Sequence, residues 1–254
     1  MQRYFIEVAY KGTRFSGFQG QANANTIQAE IENAISIFQR QPVVLTGSSR
    51  TDAGVHALQN YFHFDFAEEL HPQFIYKLNA LLPGDIAVKA LYRMPQEAHS
   101  RFDATGRLYN YHIHRFKNPF LNATSFFFPY KLNVDLLQEA AQAVLKETSF
   151  FAFSKTNTQV KTFNCKVTRS EWSTRGDQLI YTIEANRFLR GMVRLLTASL
   201  LKVGREQWSV AQFQDLFSSG AKAGHSVPAH GLFLVQVQYP ANYFPASCKA
   251  FTAF

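Results

Sequence analysis

Several stretches of this chain alternate apolar and polar residues with period two, and that pattern restricts the fold more than any other feature. Tyr4, Ile6, Val8 and Tyr10 form one such face. Phe62, Phe64 and Phe66 form a second, with Tyr61, His63 and Asp65 behind them. Tyr109, Tyr111 and Ile113 form a third, opposite Leu108, Asn110, His112 and His114. Period two is the repeat of a strand whose two faces meet different surroundings, as in antiparallel sheets covered on one side. The covers are legible too. Thr26 can cap a helix with the stripe Ile27, Ile31, Ala34, Ile35 and Phe38. Pro72 suits the first turn of a helix running to about Leu82.

The second half repeats the style. A helix is expected over Asp135–Lys146, a hairpin around Arg175-Gly176-Asp177, a helix over Phe188–Val203, a capping-box start at Ser209 and Gln212, and a closing strand over Leu232–Tyr239. The order of elements predicts an α+β chain of two domains, each a largely antiparallel sheet backed by helices. The boundary is placed near Ala104, giving domains of residues 1–104 and 105–254, with the sheets expected to be continuous across a central cleft.

Composition narrows the function classes. Of 254 residues, 46% are hydrophobic, too many for a disordered chain. No apolar run approaches the roughly 18 residues of a membrane span, and no membrane partner is expected. Met1-Gln2-Arg3-Tyr4 leads straight into a strand pattern, so no signal peptide is read there. Cys165 and Cys248 are too far apart in sequence for a CxxC site and too few for a disulfide framework, which makes a reduced cytoplasm the default location. Lys and Arg number 26 against 18 Asp and Glu, a net charge of +8 although only 17% of residues are charged. A sparse but one-signed charge with 15% aromatics fits either a nucleic-acid partner or a basic globular protein without one.

The chemistry-bearing segment is Ser49-Arg50-Thr51-Asp52-Ala53-Gly54-Val55-His56. An Arg two residues from an Asp can hold the carboxylate ionised and oriented, and such a carboxylate is a candidate nucleophile. The same residues also suit an Asp that merely bonds its own turn. Two acid-free basic stretches lie in the second half. One holds Lys155, Lys161, Lys166 and Arg169; the other holds Arg187, Arg190 and Arg194, read as one face of the Phe188–Val203 helix. Both suit phosphate contacts, or plain solvated faces. Tyr109 and Tyr111 fit base stacking or sheet core, and Phe18 fits a ligand contact or a loop anchor. His112 and His114 share a strand face, but no neighbouring Cys or carboxylate completes a metal set.

Together these segments resemble the TruA family of tRNA pseudouridine synthases. Arg50-Thr51-Asp52-Ala53-Gly54-Val55-His56 resembles the family's catalytic loop. Tyr10-Lys11-Gly12 through Gly17-Phe18-Gln19, Leu82-Pro83-Gly84-Asp85, Ala98-His99-Ser100-Arg101-Phe102, Met192-Val193-Arg194 and Gly231-Leu232 through Val235 follow in family order. The resemblance covers about Phe5 to Tyr239. It implies the pseudouridine synthase fold and a homodimer that binds tRNA. It also implies an isomerase needing no metal or organic cofactor and acting on uridines at positions 38 to 40 of the anticodon arm. It puts the nucleophile on Asp52, the base-stacking tyrosine on Tyr109, the basic partner of the nucleophile on Arg194 and the apolar pocket residue on Leu232. Arg50 matches an Arg linked to extruding the target nucleotide; Arg187 and Arg190, from the basic stretch, are read as RNA-surface residues.

The sequence departs from the family's pattern in places. Ser49 stands for a usual Gly, Phe18 for a usual Trp, Gly20 for a frequent basic residue, and Arg190-Gly191 for a common His pair. Two other readings share the same features. A catalytically silent RNA-binding protein would not need Asp52, Tyr109 and Arg194 together. A glycoside or nucleoside hydrolase would need a second carboxylate.

Overall fold

The computed structural model describes residues 1–21, 23–155, 160–245 and 249–250. The elements in chain order are β1 (Gln2–Tyr10), α1 (Ile27–Gln39), β2 (Thr46–Gly47), β3 (His56–Phe66), α2 (Phe74–Leu81), β4 (Ile86–Met94), β5 (Gly106–His114), β6 (Phe126–Phe127), α3 (Val134–Ala143), β7 (Val167–Arg175), β8 (Gln178–Ala185), α4 (Met192–Gly204), α5 (Val210–Ser218), β9 (Leu232–Gln238) and β10 (Lys249–Ala250). The fold is α+β, with mostly antiparallel sheet and five α-helices among the described residues. The chain divides into two compact units, Met1–Thr105 with Leu234–Phe254, and Gly106–Phe233. The expected division at residue 104 assigned all of 105–254 to the second domain; here residues from Leu234 onward return to the first unit.

In the first unit β1 lies between β3 and β4, antiparallel to both, with Tyr4 opposite Phe64 and Ile6 opposite Phe62. β2 adds to β3, and β10 to β4. The alternating face expected from the sequence is the core. Ile6, Val8, Phe62 and Phe64 are almost completely buried, as are Ile27, Ile31 and Ile35 of α1 and Phe74 and Leu78 of α2. Phe74 stacks on Phe64. Thr26 caps α1 as expected, accepting from the Ala29 amide at 3.3 Å.

In the second unit β8 pairs antiparallel with both β5 and β7, so that Tyr111, Tyr181 and Trp172 lie side by side across three strands. β6 joins β5 in parallel. Leu137, Ala140 and Ala141 of α3 and Leu196 and Leu200 of α4 are buried with them. The capping box at Ser209 and Gln212 forms with both of its bonds.

One expected element starts late. The helix predicted from Phe188 begins at Met192, because Gly191 sits at φ +75° as its N-cap. That left-handed conformation suits glycine and breaks the helical path. Arg187 and Arg190 therefore precede α4 and do not share a helical face with Arg194, which correction withdraws the three-residue basic stripe.

Candidate active site

The segment from Ser48 to Val55 leaves β2 and enters β3. It is held by a polar cluster inside the first unit. Asn60 of β3 is completely buried and lies on the core face with Phe62 and Phe64. Its Oδ1 accepts from Ser48 Oγ at 2.8 Å and from the Tyr61 amide at 2.9 Å. Its Nδ2 donates to the Ser49 carbonyl at 2.9 Å and to the Tyr10 hydroxyl at 3.1 Å. The Tyr10 hydroxyl also hydrogen-bonds Thr51 Oγ1, 2.9 Å away. One amide thus ties both sides of the loop to β1 and β3, with its acceptor and donor groups used.

Between these anchors the chain turns over Asp52-Ala53-Gly54-Val55, with the Val55 amide donating to the Asp52 carbonyl at 3.1 Å. Gly54 sits at φ +80°, the third-position angle of a type II turn, which explains a glycine there. His56 is buried, and its Nδ1 accepts from the Gly12 amide at 3.0 Å, which places the ring proton on Nε2. The result is an alternation of exposure. Ser48, Ser49, Thr51, Val55 and His56 are buried, Arg50 is exposed, and Asp52 is half-buried. The loop therefore presents Arg50 and Asp52 outward from a fixed base. Phe18, read as a contact residue or an anchor, is an anchor: it is buried and stacks on Phe62 with centroids 4.6 Å apart. Its ring packs against Gly47.

A second buried group supports this unit. His63 Nδ1 lies 2.8 Å from Ser100 Oγ, which in turn donates to the Thr46 carbonyl at 2.9 Å. Arg3 pairs bidentately with Asp65 at 2.7 and 2.9 Å and donates to the Ala98 carbonyl at 2.8 Å. Burial, with the positive charge of Arg3 added, pushes the His63 imidazole down to about 4. An unfolded histidine titrates near 6.5. Above 6.5 the ring is neutral folded or unfolded, and its contribution is intact. Between 6.5 and 4 only the unfolded chain takes up the proton, so stability is lost progressively, by on the order of 2 kcal/mol. We expect Tm to fall across that window and to fall less steeply in His63→Gln, read from thermal melts at fixed ionic strength. Burial also depresses His99, His112, His114 and His230, so the slope shrinks without vanishing. Equal slopes would remove His63 from this account.

The remaining expected site residues belong to the second unit. Tyr109, in β5 opposite Ile183, is mostly buried and meets the ring of Phe188 edge-on at 5.0 Å. Its neighbour Tyr111 is core: it is fully buried and donates to the Pro228 carbonyl at 2.8 Å. Arg194, in the first turn of α4, is half-buried and donates from Nε to the Val227 carbonyl at 2.8 Å. That bond fixes the guanidinium against the segment leading to Leu232, which is buried as the first residue of β9. Arg187 is half-buried and Arg190 exposed, both in the turn before α4. In the other basic stretch Arg169 pairs with Glu171, so its charge is locally compensated. Cys165 is buried, which pushes its thiol up to about 11; Cys248 lies outside the described residues. Among the described residues no three His, Cys, Asp or Glu are grouped as metal ligands, and no helix is long and apolar enough to cross a membrane.

Comparison with known proteins decides the family. The family model described as tRNA pseudouridine synthase matches residues 6–103 and 140–240. The chain belongs to the tRNA pseudouridine synthase family. Relatives in that family match over more than nine-tenths of the chain. A tRNA pseudouridine synthase A of Parabacteroides distasonis is 43% identical over 249 residues, covering 96% of this chain and 99% of that protein. One of Porphyromonas gingivalis is 40% identical over 251 residues, covering 96% and 100%. One of Staphylococcus aureus is 32% identical over 245 residues, covering 94% and 92%. Within this synthase family, the resemblance singled out Asp52 and Arg50 but not what holds them. The Asn60, Tyr10 and Thr51 clamp was missed; its one sequence signal was a polar Asn60 on an otherwise aromatic core face.

Proposed function

We propose that this synthase isomerises uridine to pseudouridine in tRNA, at positions 38 to 40 of the anticodon arm, with Asp52 as the nucleophile. The observation that carries the reading is the loop geometry. Asp52 is a part-exposed carboxylate on a turn whose flanking residues are buried and hydrogen-bonded. That is a rigid mount for a reacting group, and an unreactive turn would not need it.

The chemistry follows from the named residues. The target base leaves its stack, at a cost of a few kcal/mol, and Arg50 occupies the space it vacates. The bond from uracil N1 to ribose C1′ breaks. Asp52 either takes the sugar carbon or removes a ribose proton. The freed base turns and C5 bonds to C1′ as the Asp52–C1′ bond breaks or, on the second route, as the ribose takes its proton back; C5 then loses its proton and N1 gains one, so product and substrate have the same atoms. In this reading Arg194 is the basic partner of the nucleophile, Leu232 confines the uracil, and Tyr109 stacks on it. Arg187 and Arg190 meet phosphates, and the enzyme works in the cytoplasm as a homodimer without metal or organic cofactor. The sequence matches and the mounted carboxylate support this reading over a silent binder.

Two measurements test it. Purified protein incubated with tRNA carrying tritium at uracil C5 should release tritium to water; no release would overturn the assignment. Tyr109→Phe keeps a stacking ring and should lose less activity than Tyr109→Ala, which we expect to lose about tenfold or more in kcat/KM. Equal losses would transfer the role from the ring to the hydroxyl.

A further inference from the structure

We propose that the cavity beside the catalytic loop holds a nucleotide next to the reacting uridine, its base stacked on Phe102 and its phosphate on Arg101. The proposal rests on the RNA-isomerase reading and names a subsite for it. The cavity has a volume of about 220 Å³ and is lined by residues including Gln19, Leu45, Arg50, His99, Arg101 and Phe102. None of the described residues lining it is acidic. Two arginines, Arg50 and Arg101, contribute to the lining, and a guanidinium suits a phosphate.

Phe102 is the unusual member. Its side chain is 74% exposed, yet the turn that carries it is tightly fixed. The His99 amide donates to Asp103 Oδ2 at 2.7 Å, and the amides of Arg101 and Phe102 both donate to His99 Nδ1. Ser100, fully buried, is locked to His63 and Thr46, and its carbonyl accepts from the Tyr239 hydroxyl. The Tyr243 hydroxyl donates to Asp103. The rings form a column from the core outward. Phe5 stacks on His63 at 5.6 Å, His63 meets His99 at 4.6 Å, and His99 meets Phe102 at 4.2 Å. An apolar ring held rigidly in solvent at the end of such a column, with Arg101 over it at 5.7 Å, is a preformed platform for a flat base. The Gln19 amide stands at the same cavity to meet a base edge, whereas the Gln28 amide is engaged with Gly20, Glu32 and Leu45.

The position identifies the nucleotide. Arg50 lines this cavity, and Asp52 lies two residues further along the loop. Two residues span at most about 7 Å, the scale of a single nucleotide step. Because Phe102 and Arg50 line one cavity and Arg50 is two residues from Asp52, the base on Phe102 is assigned to a nucleotide beside the reacting one.

The test uses the full chain and unmodified tRNA. Phe102→Ala should raise KM and Kd for tRNA about tenfold with kcat within twofold, and Phe102→Trp should restore binding. Binding of tRNA should also quench the added indole fluorescence of Phe102→Trp relative to wild type. Arg101→Gln should reduce the salt slope of binding by about one. Kd unchanged in Phe102→Ala, or Phe102→Trp as weak as Phe102→Ala, would overturn the subsite while wild-type turnover still upheld the isomerase reading. Absence of wild-type turnover would instead strike the reading on which the subsite rests.

Discussion

Asp52→Asn abolishes pseudouridine formation, by at least about 10⁴-fold, while tRNA binding stays within a few-fold. The substitution removes only the charge and the nucleophilic oxygen. The turn it sits on is made by the Asp52 carbonyl and the Val55 amide, and the clamp uses Ser48, Ser49 and Thr51; none of these involves the carboxylate. The loop therefore keeps its shape and Arg50 its exposure. Phosphate contacts, which dominate RNA affinity, are untouched. Single-turnover rates and filter binding on the same preparation separate the two effects. Retained turnover would remove Asp52 from the chemistry, and lost binding would make it a recognition residue.

The second large effect falls on a residue that never touches substrate. Asn60→Ala removes four buried hydrogen bonds, those with Ser48 Oγ, the Tyr61 amide, the Ser49 carbonyl and the Tyr10 hydroxyl. Each buried group left without a partner costs about 1–3 kcal/mol, and water entering the vacated space recovers part of it. We expect a net loss of about 3–5 kcal/mol and a Tm lower by roughly 10 °C. Because the same amide positions the loop, kcat should fall about 100-fold with KM for tRNA nearly unchanged. Tyr10→Phe removes the links to Thr51 and to Asn60 Nδ2 but keeps the other three bonds of Asn60, and should cost about 1–2 kcal/mol. Calorimetry and steady-state kinetics on both variants check this. An Asn60→Ala protein with wild-type Tm and kcat would show that the clamp is not what fixes the loop.

The contrast between those residues shows what the chain discloses about itself. The strands were legible because Phe62, Phe64 and Phe66 repeat at period two, although Phe5, Tyr61 and His63 show the opposite face buried as well, and α1 because its stripe and Thr26 agree. The start of α4 was not. Phe188, Leu189, Met192 and Val193 continue a helical spacing, and only the left-handed angle at Gly191 stops it. β6 and β10 have two residues each, too few to show any period. The return of residues 234–254 to the first unit is a matter of topology, which no local pattern encodes.

At the site, a motif resemblance pointed to Asp52 directly, because a reacting group is drawn from few residue types in a fixed local frame. Its support was hidden for the opposite reason. Asn60 and Tyr10 are 50 positions apart and act through a hydrogen bond that only the folded β1 and β3 create. Phe102 was quoted for the resemblance, but its significance as an exposed ring on a rigid turn needed the structure.

The central claim is tested most directly by mapping pseudouridine chemically in tRNA from cells lacking this protein, with the wild-type or the Asp52→Asn chain restored. The account predicts pseudouridine at positions 38 to 40 with the wild-type chain and none there without it or with Asp52→Asn. Identical maps in all three, or a difference confined to RNA other than tRNA, would contradict it.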